Sequence, residues 1–302
     1  MIMAKIVIIT GFTGSGKSGL AVDIAKQYNG EIISCDSVQI YKGLNIGSAK
    51  LNDDEMQGIK HYLIDILEPT EEYSVGQFVK DCDQAINEII AKGKVPILVG
   101  GTGLYIKALL QGYNFNNTDK HADFRQQQFN LAKTKGNEYV WQKLNAIEPN
   151  KASTVHPNNL KRVVRYLEIE TFGQDTSATY SVLNNHNTLA IGVVADREQI
   201  YDKINKRVDI MIQQGLEQEV KGLINQGLSL EYNCMNTIGY REMTQYLTGE
   251  ISYAKCVELI KQHTRNYCKR QLTFMKTIPN LILTDKENGA KLIKEFLDDN
   301  TK

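Results

Sequence analysis

GFTGSGKS, residues 11–18, fits the pattern G-x-x-x-x-G-K-[ST] without interruption. It follows the apolar run Ile6, Val7, Ile8, Ile9 and precedes a helix-compatible segment that begins Leu20, Ala21, Val22. A buried strand, a glycine-rich turn and a helix start make a phosphate cradle. The glycines let backbone N–H groups turn inward, the lysine adds charge, the serine offers a hydroxyl to Mg²⁺, and the helix contributes its positive end. Gly11, Thr13, Gly14, Ser15, Gly16, Lys17 and Ser18 are therefore candidate diphosphate-binding residues, with Ser18 the candidate metal ligand. The loop alone leaves open whether the ligand is ATP, another nucleotide or a different diphosphate.

Outward from this loop, short apolar runs alternate with helical periodicity. Strands are predicted at residues 5–10, 31–34, 61–66, 95–99, 189–195 and 281–283. The clearest helix carries Val75, Phe78, Val79, Cys82, Ala85, Ile86, Ile89 and Ile90 at helical steps behind Ser74 as N-cap. Strands spaced by helices give a parallel sheet. The predicted fold is α/β, a P-loop NTPase-like parallel sheet flanked by helices. Residues 116–187 lack a convincing strand and are predicted to be a helical insertion domain, between core segments 1–115 and 188–302.

The 302 residues and 42% apolar content suffice for a real core. No apolar run approaches the roughly twenty residues of a membrane span, and the start reads as a first strand rather than a secretory signal. The five cysteines form no C-x-x-C and the five histidines no H-x-x-x-H, so neither zinc nor a disulfide framework is expected. A cytoplasmic monomer is the expectation. Net charge is zero, yet residues 151–165 carry Lys151, Lys161, Arg162 and Arg165 with no acid. Residues 261–276 likewise carry Lys261, Arg265, Lys269, Arg270 and Lys276 with none. Lys261, Arg265 and Lys269 recur every four residues, which stacks them on one helix face as a candidate phosphate track.

Three further residues stand out. Asp36 ends the apolar run EIISCD and is followed by Ser37, Gln39, Tyr41 and Lys42, an exposed loop of polar and aromatic groups suited to a flat heterocycle. Asp196 also follows an apolar run, but helix N-capping accounts for it. Thr102, between glycines in GGTGLY, sits where ligands bind parallel sheets, beyond the carboxyl ends of strands. Arg207 lies beside the apolar stripe Ile200, Ile204, Val208, Met211 and has no acid at i±3 or i±4, which leaves it able to reach a ligand phosphate.

In the order GFTGSGKS, GEIISCDSVQIYKGLNIGSAK, KHYLIDILEP, YSVGQF, VPILVGGTGLY, NNLKRVVRYLEI, IGYREMTQYLTG and HTRNYCKRQLTF, the chain resembles bacterial tRNA dimethylallyltransferases, also called tRNA isopentenyltransferases. The resemblance spans nearly the whole chain. It implies prenyl transfer from dimethylallyl diphosphate to the exocyclic amine of the adenine 3′ to the anticodon, with release of diphosphate. By the same resemblance Asp36 would be the general base, with Ser37, Val38 and Gln39 around the flipped base. Residues 11–18 would hold the diphosphate with Mg²⁺, and Thr102 and Arg207 would steady the leaving oxygen. The anticodon stem-loop would meet Arg125, Lys161, Arg162 and Arg165 in the insertion. Asn236, Gly239, Tyr240, Arg241, Arg265, Lys269, Arg270 and Lys276 would meet it from the second core segment. Departures from the family pattern are Phe12 for a usual proline, Gly14 for alanine, Tyr62 for the second of two histidines, Lys203 for arginine and Lys161 for glutamine. The zinc finger of eukaryotic members is absent. Other readings of the same motifs are an adenylate isopentenyltransferase acting on free AMP, a P-loop small-molecule kinase, and a non-catalytic RNA-binding protein.

Overall fold

A computed structural model describes residues 4–112, 121–173, 181–195 and 197–299. Asp196 lies outside the described residues. The chain divides into one compact unit of Met1–Gly112 with Ser181–Lys302 and a second of Tyr113–Tyr180. The return to the first unit thus precedes residue 187. Ser181 is buried and donates its hydroxyl to the Leu109 carbonyl at 2.8 Å, which ties residues 181–186 to that unit ahead of the strand.

The first unit begins β1 (Lys5–Gly11), α1 (Lys17–Gln27), β2 (Gly30–Ser34), α2 (Asp53–Met56), β3 (His61–Tyr62), α3 (Val75–Ala91), β4 (Val95–Gly100) and α4 (Gly103–Gln111). The second unit contributes α5 (Ala122–Lys135), α6 (Asn137–Ile147), α7 (Pro149–Ser153) and α8 (Leu160–Phe172). The first unit resumes with β5 (Asn187–Val193), α9 (Arg197–Gln213), α10 (Leu216–Asn225), α11 (Tyr240–Leu247), α12 (Tyr253–Met275), β6 (Ile282–Thr284) and α13 (Lys286–Asp298). The strands form one parallel sheet in the order β3-β2-β4-β1-β5-β6.

Strands buried on both faces read as continuous apolar runs, and here they are: Ile6 to Ile9, Ile32, Ile33, Ile97 and Leu98 are all 0% exposed. Ser74 caps α3 as expected, accepting from the Gln77 N–H at 3.1 Å. Strand β3 is much shorter than the predicted 61–66. Leu63 and Asp65 take left-handed φ values of 60° and 53°, which end the extended backbone. The chain beyond pairs instead with the segment after β2, Asp65 N–H donating to Gln39 O and Ile66 N–H to Ile40 O. In the second unit α5, α6, α7 and α8 surround a separate core of Val140, Leu144, Ala152, Val163, Val164 and Leu167.

Candidate active site

The sheet order sets the loops after β2, β4 and β1 side by side at the carboxyl edge, where parallel sheets bind ligands. Asp36, Thr102 and residues 11–18 stand on those loops. Gly14 and Gly16 have φ of 86° and 81°, a backbone other residues rarely adopt, and Gly16 is the N-cap of α1. A Cβ on Gly11 would lie 2.7 Å from Ser15 Oγ and 2.9 Å from the Val193 carbonyl, so the loop closes over a position that excludes side chains. Ser15 Oγ is buried without a hydrogen-bond partner among the described residues. Not every N–H of the loop faces the cradle. That of Thr13 donates to Gln271 Oε1 at 3.2 Å and that of Ser15 to Phe12 O at 3.2 Å, so as found the backbone donors of both residues are committed within the protein.

Lys17, Asp36 and Arg207 are electrostatic neighbours. Burial pulls the Lys17 ammonium down to about 8, Asp36 opposing the shift and Arg207 adding to it. Arg207 is lowered by the same desolvation, with Asp36 again opposing. Its Nε is buried with no hydrogen-bond partner among the described residues. A buried polar atom of a cation left unpaired in this way is suited to an anionic ligand. The sequence argument that no helical acid engages Arg207 therefore agrees with its surroundings.

Asp36 is held by its own turn: Oδ1 accepts from the N–H groups of Val38 at 2.9 Å and Gln39 at 3.3 Å. Thr102 Oγ1 accepts from the Ser37 N–H at 3.1 Å and lies 3.3 Å from Ser37 Oγ, joining the loops after β2 and β4. Tyr267 of α12 is within reach of the same charge: burial, followed by Asp36, pushes its phenol up to about 12.

Gln39 has a different setting from the one its position implied. Its amide accepts from Ser34 Oγ at 3.2 Å and donates to the carbonyls of Ser48 and Ala49 at 3.2 and 3.3 Å. Both ends are thus engaged in shaping its own loop rather than free for a base. Tyr240 is corrected likewise: it is 0% exposed, so its side chain is core and not an RNA-facing group. The Asn236 amide donates to the Leu230 carbonyl, and Arg241 pairs with the buried Glu242 at 2.6 Å.

Two positioning groups escaped the sequence. Glu219 of α10 accepts from the N–H groups of Asn45 at 3.0 Å, Ile46 at 2.8 Å and Gly47 at 3.2 Å and from the Tyr240 hydroxyl at 2.7 Å. Lys50, whose side chain is 5% exposed, donates to Tyr41 O at 3.0 Å and Asn45 Oδ1 at 2.9 Å and pairs with Asp65. Together they pin the segment that follows Asp36. Glu219→Gln turns an amide toward backbone donors and is expected to cost about 1 kcal/mol, because several partly buried donors lose a charged acceptor. The shift of the urea midpoint checks this, and an unchanged midpoint would show that the loop re-forms without the carboxylate.

The cationic stripe on α12 also has partners. Lys261 pairs with Asp209, Arg265 donates to Asn205 Oδ1 at 2.8 Å, and Lys269 lies 6.0 Å from the Tyr201 ring centroid. Residues 209, 205 and 201 descend α9 at the same four-residue spacing, so the stripe is a seam between two helices. Lys269, Arg270 and Lys276 are nevertheless exposed. In the second unit, Arg125 and Arg165 each pair with the buried Glu168, at 2.7 and 2.9 Å. Arg162 donates to the Tyr166 hydroxyl at 2.9 and 2.7 Å, and Lys161 is exposed.

The family model described as IPP transferase matches residues 39–278. A tRNA dimethylallyltransferase of Acetivibrio thermocellus is 43% identical over 97% of this chain and 96% of its own length. One from Bacillus anthracis is 42% identical over 95% and 92%. Among solved structures, the tRNA isopentenylpyrophosphate transferase of Bacillus halodurans superposes with a TM-score of 0.73 at 36% identity, covering 98% of this chain and 97% of its own. A eukaryotic dimethylallyltransferase, caught acting on tRNA, gives 0.77 at 30% identity over 94% of this chain and 74% of its own.

Proposed function

Because this chain belongs to the IPP transferase family, we infer that it is a prenyltransferase acting on tRNA. We propose that it moves a dimethylallyl group from dimethylallyl diphosphate to the exocyclic amine of the adenine 3′ to the anticodon. The observation that carries this reading is one carboxylate, Asp36, within electrostatic reach of two cations, Arg207 and the phosphate-loop Lys17. The carboxylate suits an amine that must lose a proton. The cations suit a diphosphate that gains charge as it leaves.

An adenine amine is a poor nucleophile, so orientation and charge stabilisation must supply most of the acceleration. Asp36 Oδ1 is held by two backbone N–H groups, while Oδ2 makes no hydrogen bond among the described residues and is available to the amine proton. Thr102 and Ser37 line the gap between base and diphosphate, and Lys17 and Arg207 meet the departing oxygens. Among the described residues no cluster of three His, Cys, Asp or Glu side chains could cage a metal. Ser18 would hold Mg²⁺, an ion that usually keeps several waters and does not need an all-protein cage, beside the diphosphate. When bound, it neutralises charge on the diphosphate. RNA contacts are proposed for Lys161, Arg162 and Arg165 in the insertion and for Lys269, Arg270 and Lys276 in and just after α12. No helix of the described residues is long and apolar enough to cross a membrane.

One mixture tests the proposal: the protein with dimethylallyl diphosphate, ATP, AMP and an unmodified anticodon stem-loop, followed by mass analysis. The expected product is the stem-loop heavier by one dimethylallyl unit. Prenylated AMP would point to an adenylate isopentenyltransferase, and a phosphorylated small molecule to a kinase.

A pH dependence follows from Lys17. Its ammonium form predominates below about pH 8 and the neutral amine above it. Only the ammonium attracts diphosphate, while Arg207 remains charged throughout. Diphosphate affinity is therefore expected to fall as pH rises from 7 to about 9, as seen by calorimetry. Affinity that is flat across this window would place Lys17 outside the binding charge.

A further inference from the structure

Helix α12 takes hold of the phosphate loop at Thr13. Gln271 is buried, its Oε1 accepting from the Thr13 N–H at 3.2 Å and its Nε2 donating to the Gly101 carbonyl at 2.9 Å. Cys268, three residues earlier on the same helix, donates its thiol to the Thr13 carbonyl at 3.7 Å. Burial pushes that thiol up to about 11, so it stays a neutral donor. The contact is close on the other side as well: a Cβ on Gly101 would lie 2.4 Å from Gln271 Nε2.

The place of this amide in the sheet gives it meaning. Strands β1 and β4 are paired as far as Thr10 and Gly100, and there the ladder ends. Beyond it the chains separate into the phosphate loop and the turn that bears Thr102. A glutamine side chain carries the same donor and acceptor as a backbone unit. Placed between Thr13 N–H and Gly101 C=O, it supplies the next rung from a third element. The two loops that must meet one diphosphate are thereby fixed relative to each other.

We propose that Gln271 is a positioning residue for the diphosphate, holding the phosphate loop and the Thr102 turn in register by extending the β1–β4 ladder with a side-chain rung. This rests on the proposed function, since it assigns the ligand that both loops share. The residue touches no reacting atom. Its effect is on where the loop donors and Thr102 stand before the ligand arrives, which is a cost otherwise met on binding.

The test uses the full chain and inorganic diphosphate with Mg²⁺ as the probe, with stem-loop affinity and the thermal midpoint measured alongside. Gln271→Leu keeps the volume and removes both bonds. It is expected to weaken diphosphate binding by about tenfold or more while stem-loop affinity stays within about twofold, since the buried Gly101 carbonyl and the partly buried Thr13 N–H are left unpaired. Gln271→Glu separates positioning from mere packing. As a carboxylate it repels the Gly101 carbonyl; as a neutral acid it accepts and donates as glutamine does, and burial favours the neutral form. Its deficit relative to wild type is expected to shrink as pH falls from about 9 to about 6. Should the leucine variant not fold, this ratio carries the test alone. Diphosphate binding by Gln271→Leu within twofold of wild type, or a Gln271→Glu deficit that is the same at both pH values, overturns the proposal. Wild-type protein that binds diphosphate but prenylates no RNA overturns the proposed function and leaves this role standing.

Discussion

Replacing Asp36 with asparagine is expected to lower the single-turnover rate by about a hundred- to ten-thousand-fold, the range that a positioned general base supplies. Asparagine is the informative choice because its Oδ1 still accepts from Val38 and Gln39, the two N–H groups that Asp36 holds in the native turn. The loop keeps its shape and only the basic oxygen and the charge are lost. Stem-loop affinity is expected to stay within a few-fold of wild type, since the interaction belongs to the transition state more than to the ground state. Alanine would confuse the two effects by uncapping the turn. A variant that turns over at near wild-type rate removes Asp36 from the proton transfer.

For Arg207→Ala the expected loss in single-turnover rate is about a hundred- to a thousand-fold, comparable to deleting one preorganised donor aimed at developing charge. The helix supports this substitution, because its buried apolar stripe is Ile200, Ile204 and Val208 and Arg207 is not part of it. A second signature separates a direct role from a structural one. Arg207 is among the causes that lower the Lys17 ammonium. Its removal is expected to move the pH at which diphosphate affinity falls upward from about 8. Unchanged rates together with an unmoved pH midpoint would make the arginine a bystander.

The parallel sheet was legible because burial on both faces leaves an unmistakable apolar run, as in Ile6 to Ile9 or in VPILVG of β4. HYLIDI reads as a nearly continuous apolar run as well, yet it forms only a two-residue strand, because left-handed turns at Leu63 and Asp65 are not encoded by hydrophobicity. Lys17, Asp36 and Thr102 were legible as candidates because a motif or a strand end marks them. Glu219 and Gln271 were not, since each acts on a segment more than 170 residues away. A glutamate or glutamine in a polar helix looks the same in sequence whether it meets water or a backbone amide. The same limit applies to Lys261, Arg265 and Lys269, whose partners sit on another helix at matching spacing. Counting acids within the segment could not reveal Asp209.

That seam between α9 and α12 changes what an RNA would meet. A polyanion gains affinity from a protein cation chiefly by letting sodium or potassium escape from its own atmosphere. Lys261 already has an anion attached to the same molecule, Asp209, and Arg265 and Lys269 already lean on Asn205 and Tyr201. If a phosphate displaced Asp209, one fixed partner would be traded for another, and the freed carboxylate would gather a cation of its own. The entropic reward would cancel in large part. The helix can thus be rich in lysine and arginine without acting as an indiscriminate trap for nucleic acid.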